Sequence, residues 1–248
     1  MTRLVTGLQP VREAIRVHGE RLERVLVEER GGPQIEAVAR FATDRGATVV
    51  RVSRGDLDRA SKGARHQGAI AYAPDLALVG VDALAKELSD ETVILALDEI
   101  EDPQNFGAVI RSAVALGAAA IVWPEHHAAP LSPATFRASA GAVEHARLCR
   151  VSALPSALDR LREAGATVVG LDANAEKDLR DVTADGPFVL VIGAEGKGLR
   201  KPVKRACTEL ARLPMTGVLD SLNASVAGGI ALYELLRRRP ARREEPQT

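Results

Sequence analysis

The chain has 248 residues, 46% hydrophobic and 27% charged, enough to close a core without a metal or disulfide staple. Its 33 basic and 33 acidic side chains cancel, which excludes a protein that coats nucleic acid indiscriminately. Cys149 and Cys207 match no metal spacing or disulfide framework, and neither an apolar signal-peptide core nor a membrane-length apolar run is present, so the chain reads as cytoplasmic and free of membrane and metal.

The N-terminal block alternates short helical and strand patterns. Pro10–Val17 predicts a helix with Pro near its start. Leu22–Glu28 reads as a strand. Gln34–Asp44 places Ile35, Val38, Ala39 and Ala42 on one helical face. Thr48–Val52 and Ala69–Tyr72 read as strands, and Pro74–Leu84 as a connector passing into a short helix. A second block opens with Thr92–Leu97, a continuous apolar run of the kind buried on both faces of a parallel sheet. Asn105–Leu116 reads as a helix, Ala119–Trp123 as a strand, Pro155–Ala164 as a helix and Thr167–Leu171 as a strand. Phe188–Ile192 is another apolar strand, Leu210–Leu213 a short one, and Ser221–Arg238 the last helix. Strands alternating with helices predict an α/β domain with a mostly parallel sheet. The expected division is a domain over 1–75, a linker over 76–90, a larger domain over 91–239 and a disordered tail over 240–248.

Ligands of open parallel sheets bind beyond the carboxyl ends of the strands, so the segments there are the candidates for chemistry. Asn105–Arg111 reads NFGAVIR: Asn105 can cap the helix, Gly107 allows close approach, and Arg111 can offer a bidentate fork to a phosphate. Gly193–Leu199 reads GAEGKGL, which is neither a dinucleotide fingerprint nor a P-loop. Leu219–Ala227 reads LDSLNASVA, with Ser221 and Asn223 at a helix entrance. Each segment taken alone reads as a cap or a turn before it reads as a site. Lys197, Arg200, Lys201, Lys204 and Arg205 form a basic cluster, and Arg237, Arg238, Arg239, Arg242 and Arg243 crowd the C-terminal end. Each cluster is either a solvated face or a phosphate-contacting stripe.

Taken together and in this order, the three segments resemble the ordered motifs of the SpoU (TrmH) branch of the SPOUT methyltransferases, over about residues 90–238. GLQPVREAI at 7–15 and HQGAIA at 66–71 resemble the ends of the L30e-like RNA-binding domain in the subgroup that modifies a guanosine of 23S rRNA. The resemblance implies a C-terminal α/β trefoil-knot domain with an L30e-like domain before it, S-adenosylmethionine as cofactor, RNA as substrate and a homodimer. It implies that Gly193, Leu213 and Leu222 line the cofactor site, mainly through their backbone. It also implies that Asn105, Arg111, Glu195, Ser221 and Asn223 serve catalysis or active-site structure. Lys197, Arg200 and Lys201, with Arg65 in the N-terminal block, are the candidate RNA contacts. Val226, Ile230, Tyr233 and Leu236 of the last helix are either interface or ordinary packing.

Other readings stay open. Transfer RNA or a 23S rRNA adenosine, as in the antibiotic-resistance type, is an alternative target. A non-catalytic RNA-binding protein and a metal enzyme using Asp98, Glu99, Glu101 and Asp102 are the others.

Overall fold

The computed structural model describes residues 2–183, 185–217 and 221–238. The expected tail over 240–248 and the arginines at 239, 242 and 243 lie outside them, as do Leu219 and Asp220 of the third motif. The chain folds into two compact units. The first holds residues 1–78, 101–114 and 129–147; the second holds 79–100, 115–128 and 148–248.

The first unit contains a four-stranded sheet of order β1-β4-β2-β3, built from β1 (Thr2–Thr6), β2 (Arg24–Glu28), β3 (Val49–Val52) and β4 (Ala69–Pro74). β4 is antiparallel to both β1 and β2, and β2 runs parallel to β3. Helices α1 (Leu8–His18), α2 (Pro33–Asp44) and α3 (Arg54–Ser61) complete this block. The helical face expected over 34–44 is the buried one: Ile35, Val38, Ala39 and Ala42 all enter the core. β1 and α3 carry too few apolar residues to be seen in sequence. Leu57 is the apolar residue α3 buries, and Ser53 caps the helix by accepting from Asp56 N at 3.2 Å.

The 76–90 stretch, expected as a linker, contains α4 (Val81–Lys86), whose Leu84 is buried in the core of the second unit. That unit holds a six-stranded, all-parallel sheet of order β10-β8-β9-β5-β6-β7. Its strands are β5 (Val93–Asp98), β6 (Ala120–Pro124), β7 (Leu148–Val151), β8 (Thr167–Leu171), β9 (Phe188–Gly193) and β10 (Glu209–Ala211). The helices that follow α4 are α5 (Pro103–Ala115), α6 (Pro133–Ala138), α7 (Leu154–Glu163), α8 (Lys201–Ala206) and α9 (Ala224–Arg237). Of these, α6 and most of α5 group with the first unit. β5 and β9 are buried along nearly their whole length, as their uninterrupted apolar runs require.

Three helix starts differ from expectation by two or more residues. α1 begins at Leu8 rather than Pro10. α5 begins at Pro103, and its cap is Asp102, which accepts from Gln104 N at 3.1 Å and Asn105 N at 3.2 Å. Asn105 is therefore the third residue of the helix rather than its cap, and Arg111 falls in the third turn. α9 begins at Ala224 rather than Ser221, because Asn223 caps it.

Gly170 of β8 sits where a Cβ would meet Leu199 Cδ1 at 2.6 Å, Leu210 Cδ2 at 2.8 Å and Cys207 Sγ at 2.9 Å. Gly170→Ala is therefore expected to lower stability to urea by about 1–3 kcal/mol through overpacking, read from the unfolding midpoint at constant slope.

Candidate functional site

The carboxyl ends of β8, β9 and β10 open into a cleft of about 850 Å³, inside the ~300–1,000 Å³ range of small-molecule sites. Four segments of the second unit supply most of its lining: Leu171–Asn174 after β8, Ile192–Gly198 at the end of β9, Arg212–Met215 after β10, and Ser221, Leu222, Ala224 and Ala227 at the start of α9. The sheet thus delivers its loops where ligands of open parallel sheets bind.

The glycine loop owes its shape to its sequence. Gly198 N donates to Ala194 O at 2.8 Å, closing a tight turn in which Gly196 and Gly198 have φ of 75° and 64°. A Cβ on Gly193 would lie 2.2 Å from the carbonyl carbon of Gly198, so the return of the chain leaves no room for any side chain there. No atom beyond the adjoining residues lies within 4 Å of a Cβ built on Gly196 or Gly198, so that side of the loop faces open space.

One buried charge pins the loop to the sheet. Asp98, at the last position of β5 and level with Gly193 of β9, has no exposure to water. Its Oδ2 accepts from Arg200 N at 2.9 Å, and its Oδ1 accepts from Arg200 Nε at 2.8 Å. The guanidinium also reaches Glu99 at 3.4 Å. Arg200, a candidate RNA contact by sequence, is thus committed to the protein's own carboxylates. Sequence reasoning treats Asp98 only as a possible cation ligand; the signal for its actual role is a lone acid ending the apolar run VILALD.

A second contact fixes the other side of the cleft. Asn223 Oδ1 accepts from Ser225 N at 2.9 Å and Val226 N at 3.4 Å, which caps α9, while its Nδ2 donates to Glu195 Oε2 at 3.1 Å. The second and third motifs are therefore joined by a direct hydrogen bond. Also in the lining, Asp172 pairs with Lys204 and accepts from Asn174 N at 3.0 Å. Burial pushes the Asp172 carboxyl up, but the bonds from Lys204 and Asn174 outweigh it and hold the group below its ordinary range. Asp178 is held down chiefly by its bond from Arg212, at 2.8 Å. None of Asp172, Asp178 or Arg212 stands out as a site residue in sequence, since each lies in an unremarkable loop; Lys204 stands out only as a member of the basic cluster, and its side chain is turned to Asp172.

The structure thus brings Gly193, Glu195, Lys197, Leu213, Ser221 and Leu222 onto one cleft, with Asn223 bonded to Glu195. Lys201 is exposed on α8. Asn105 and the exposed Arg111 lie on α5 in the first unit, as does the exposed Arg65, next to His66. His66 Nδ1 accepts from Gly68 N at 3.0 Å, which leaves Nε2 to donate to Asp58 at 2.9 Å. The cysteines offer no nucleophile at neutral pH: burial pushes the Cys149 thiol to about 11, and burial with the nearby Asp98 charge pushes Cys207 to about 12. The carboxylates of the metal-enzyme reading are engaged too, Asp98 by Arg200 and Asp102 by the first turn of α5. Among the described residues no helix is long and apolar enough to cross a membrane.

Comparison with known proteins shows the family of the chain. Residues 92–233 match the model of the SpoU rRNA Methylase family, and residues 4–78 match that of RNA 2′-O ribose methyltransferase substrate binding. The chain is 38% identical to a Bacillus subtilis protein named putative TrmH family tRNA/rRNA methyltransferase YacO, over 95% of each chain. It is 36% identical to the 23S rRNA (guanosine-2′-O-)-methyltransferase RlmB of Pseudomonas syringae pv. tomato, over 97% of each. The crystal structure of AdoMet-bound rRNA methyltransferase from Sinorhizobium meliloti superposes with a TM-score of 0.77 at 28% identity, covering 95% of this chain and 87% of that one. The family model spans more than half of the sequence and contains all three motifs, and the chain belongs to the SpoU rRNA methylase family.

Proposed function

We propose that this RNA 2′-O-methyltransferase modifies a guanosine of 23S rRNA. The class rests on the family match and the intact motif set; the choice of guanosine is supported by the similarity to a relative named for that activity, along 97% of each chain. The observation that carries the reading is the cleft built by the second and third motifs at the carboxyl edge of the sheet.

The cofactor is S-adenosylmethionine, and the cleft fits it. The glycine loop presents backbone to open space, Ile192, Leu213 and Leu222 supply apolar walls for a flat base, and the lining carboxylates Asp172, Asp178 and Glu195 suit hydroxyl and ammonium groups. Gly193, Leu213 and Leu222 would hold it, mainly through peptide groups. When bound, it supplies an electrophilic methyl to a ribose 2′-hydroxyl. The chain's own residues must align that hydroxyl and manage its proton. Arg111 is a poor base, since a guanidinium has a pKa above ~12. Its role in this reading is to hold the substrate phosphate and stabilise the developing alkoxide. Asn105 and Ser221 orient the substrate, while Glu195 and Asn223 keep the loop against α9.

RNA capture falls to the N-terminal domain, including Arg65, and to Lys197, Lys201 and Arg205. These last three recur every fourth residue and are exposed. Two copies associate through α9, on which Val226, Ile230 and Tyr233 are 49%, 47% and 58% exposed along one stripe.

Transfer of labelled methyl from S-adenosylmethionine to protein-free ribosomal RNA and bulk transfer RNA tests the proposal. Label is expected as 2′-O-methylguanosine in 23S rRNA, and Arg111→Ala is expected to reduce the rate about 100-fold or more. Label in transfer RNA alone would refute the target, and full activity of the variant would refute the role of Arg111. Gly193→Ala is expected to weaken cofactor binding by about tenfold or more in titration calorimetry, because its Cβ forces the loop open.

A further inference from the structure

The first unit contains a buried charge that the chemistry above does not use. Glu144 lies in a 3-10 turn over Ala142–His145, and its side chain has no exposure to water. Arg3 of β1 meets it with both terminal nitrogens, one of them at 2.8 Å from Oε1, and donates from Nε to Pro74 O at 2.9 Å. His18, in the last turn of α1, donates from Nε2 to Oε2 at 2.9 Å. Burial pushes the Glu144 carboxyl up, yet the bonds from His18 and Arg3 prevail and keep it below its ordinary range.

This cluster joins parts of the chain that are more than a hundred residues apart. A neighbouring contact repeats the join: His145 Nε2 lies 2.8 Å from Glu13 of α1. Gly141 completes it, since a Cβ there would fall 2.8 Å from both Pro10 Cα and Glu13 Cβ. The Arg3 guanidinium also lies over the ring of Phe136, 5.0 Å from its centroid, and Phe136 is buried on α6.

α6 in turn seats α5. A Cβ on Gly107 would meet Ala138 Cβ at 2.5 Å, Thr135 O at 2.7 Å and Ser139 N at 2.8 Å, so the two helices touch backbone to backbone at that point. Arg111 follows Gly107 by one helical turn. An unbroken path of packed groups therefore runs from the N-terminal RNA-binding block, through Glu144 and α6, to the helix that carries Arg111. Apolar side chains would hold such a joint at least as firmly, but a bidentate guanidinium–carboxylate pair also fixes distance and angle.

We propose that Glu144, clamped by Arg3 and His18, is a positioning residue that sets α5, and hence Arg111, relative to the RNA held by the N-terminal domain. The proposal rests on the role of Arg111 given above. Its consequence is that loss of the clamp slows methyl transfer while leaving both ligands bound.

The test compares full-length wild type, Glu144→Gln, Arg3→Lys and Arg111→Ala on whichever protein-free RNA the wild type labels. kcat, RNA affinity by filter binding and S-adenosylmethionine affinity by calorimetry are read at a temperature where circular dichroism shows each variant folded. Glu144→Gln is expected to lower kcat by about 10- to 100-fold, the scale of a small misplacement far from the chemistry, with both affinities within about threefold of wild type. Arg3→Lys keeps the charge but loses the fork, and is expected to show the same selective loss to a smaller degree; it carries the test if Glu144→Gln does not fold. Unchanged kcat in a folded clamp variant, or a loss confined to RNA affinity, overturns the inference while Arg111→Ala remains inactive. An active Arg111→Ala overturns the underlying reading instead.

Discussion

A carboxylate stripped of water must find its counter-charge within the protein, and Asp98 finds it in Arg200. The pair forms because β5 ends in an acid at the level of Gly193, where β9 leaves the sheet. Arg200 satisfies that acid with its side chain and its backbone N–H together, so the chain must turn back within the six residues between Gly193 and Arg200. Glycine at 193, 196 and 198 makes so tight a return possible. The cleft is the space this return leaves, and the Asn223–Glu195 bond ties its far wall to α9. Removing one partner of a buried pair typically costs ~3–5 kcal/mol. With Arg200 partly exposed, the cost here falls short of that range, and it would be felt first in the loop.

The same economy of charge is visible in how a chain of zero net charge distributes its basic residues. Basic residues are divided by direction rather than by number. Arg200 and Lys204 turn inward to Asp98 and Asp172, while Lys197, Lys201 and Arg205, interleaved with them, face outward. In the first unit Arg3 is spent on Glu144, and Arg65 stands exposed in the turn before β4. Inward charges set geometry in low dielectric, where each pair is strong; outward ones act through water and ions, where only several together matter.

Much of this is legible in the order of residues. The apolar runs over 92–97 and 188–192 are buried strands, and the face named over 34–44 is the buried face of α2. The three motifs are readable as a set, and two of them meet in one cleft. β1, α3, α6, β7 and α8 are not anticipated by pattern. They are four to eight residues long, most bury only one to three side chains, and they exist because longer neighbours pack on them. The cap of α5 is misread in sequence because Asn and Asp compete for such positions; Pro103 settles it, since its fixed φ starts the helix and leaves Asp102 outside.

By itself the sequence determined the class of fold, the order of the buried strands along the chain and the identity of the motif residues, because these depend on local periodicity and on residue type. Only the tertiary structure decided which charges are partners. Asp98 and Arg200 lie 102 positions apart, and Arg3 and Glu144 lie 141 apart. Nothing in the local pattern couples them. The pairing follows from strand register and helix packing, which bring distant carboxylates out of water beside the cations able to neutralise them.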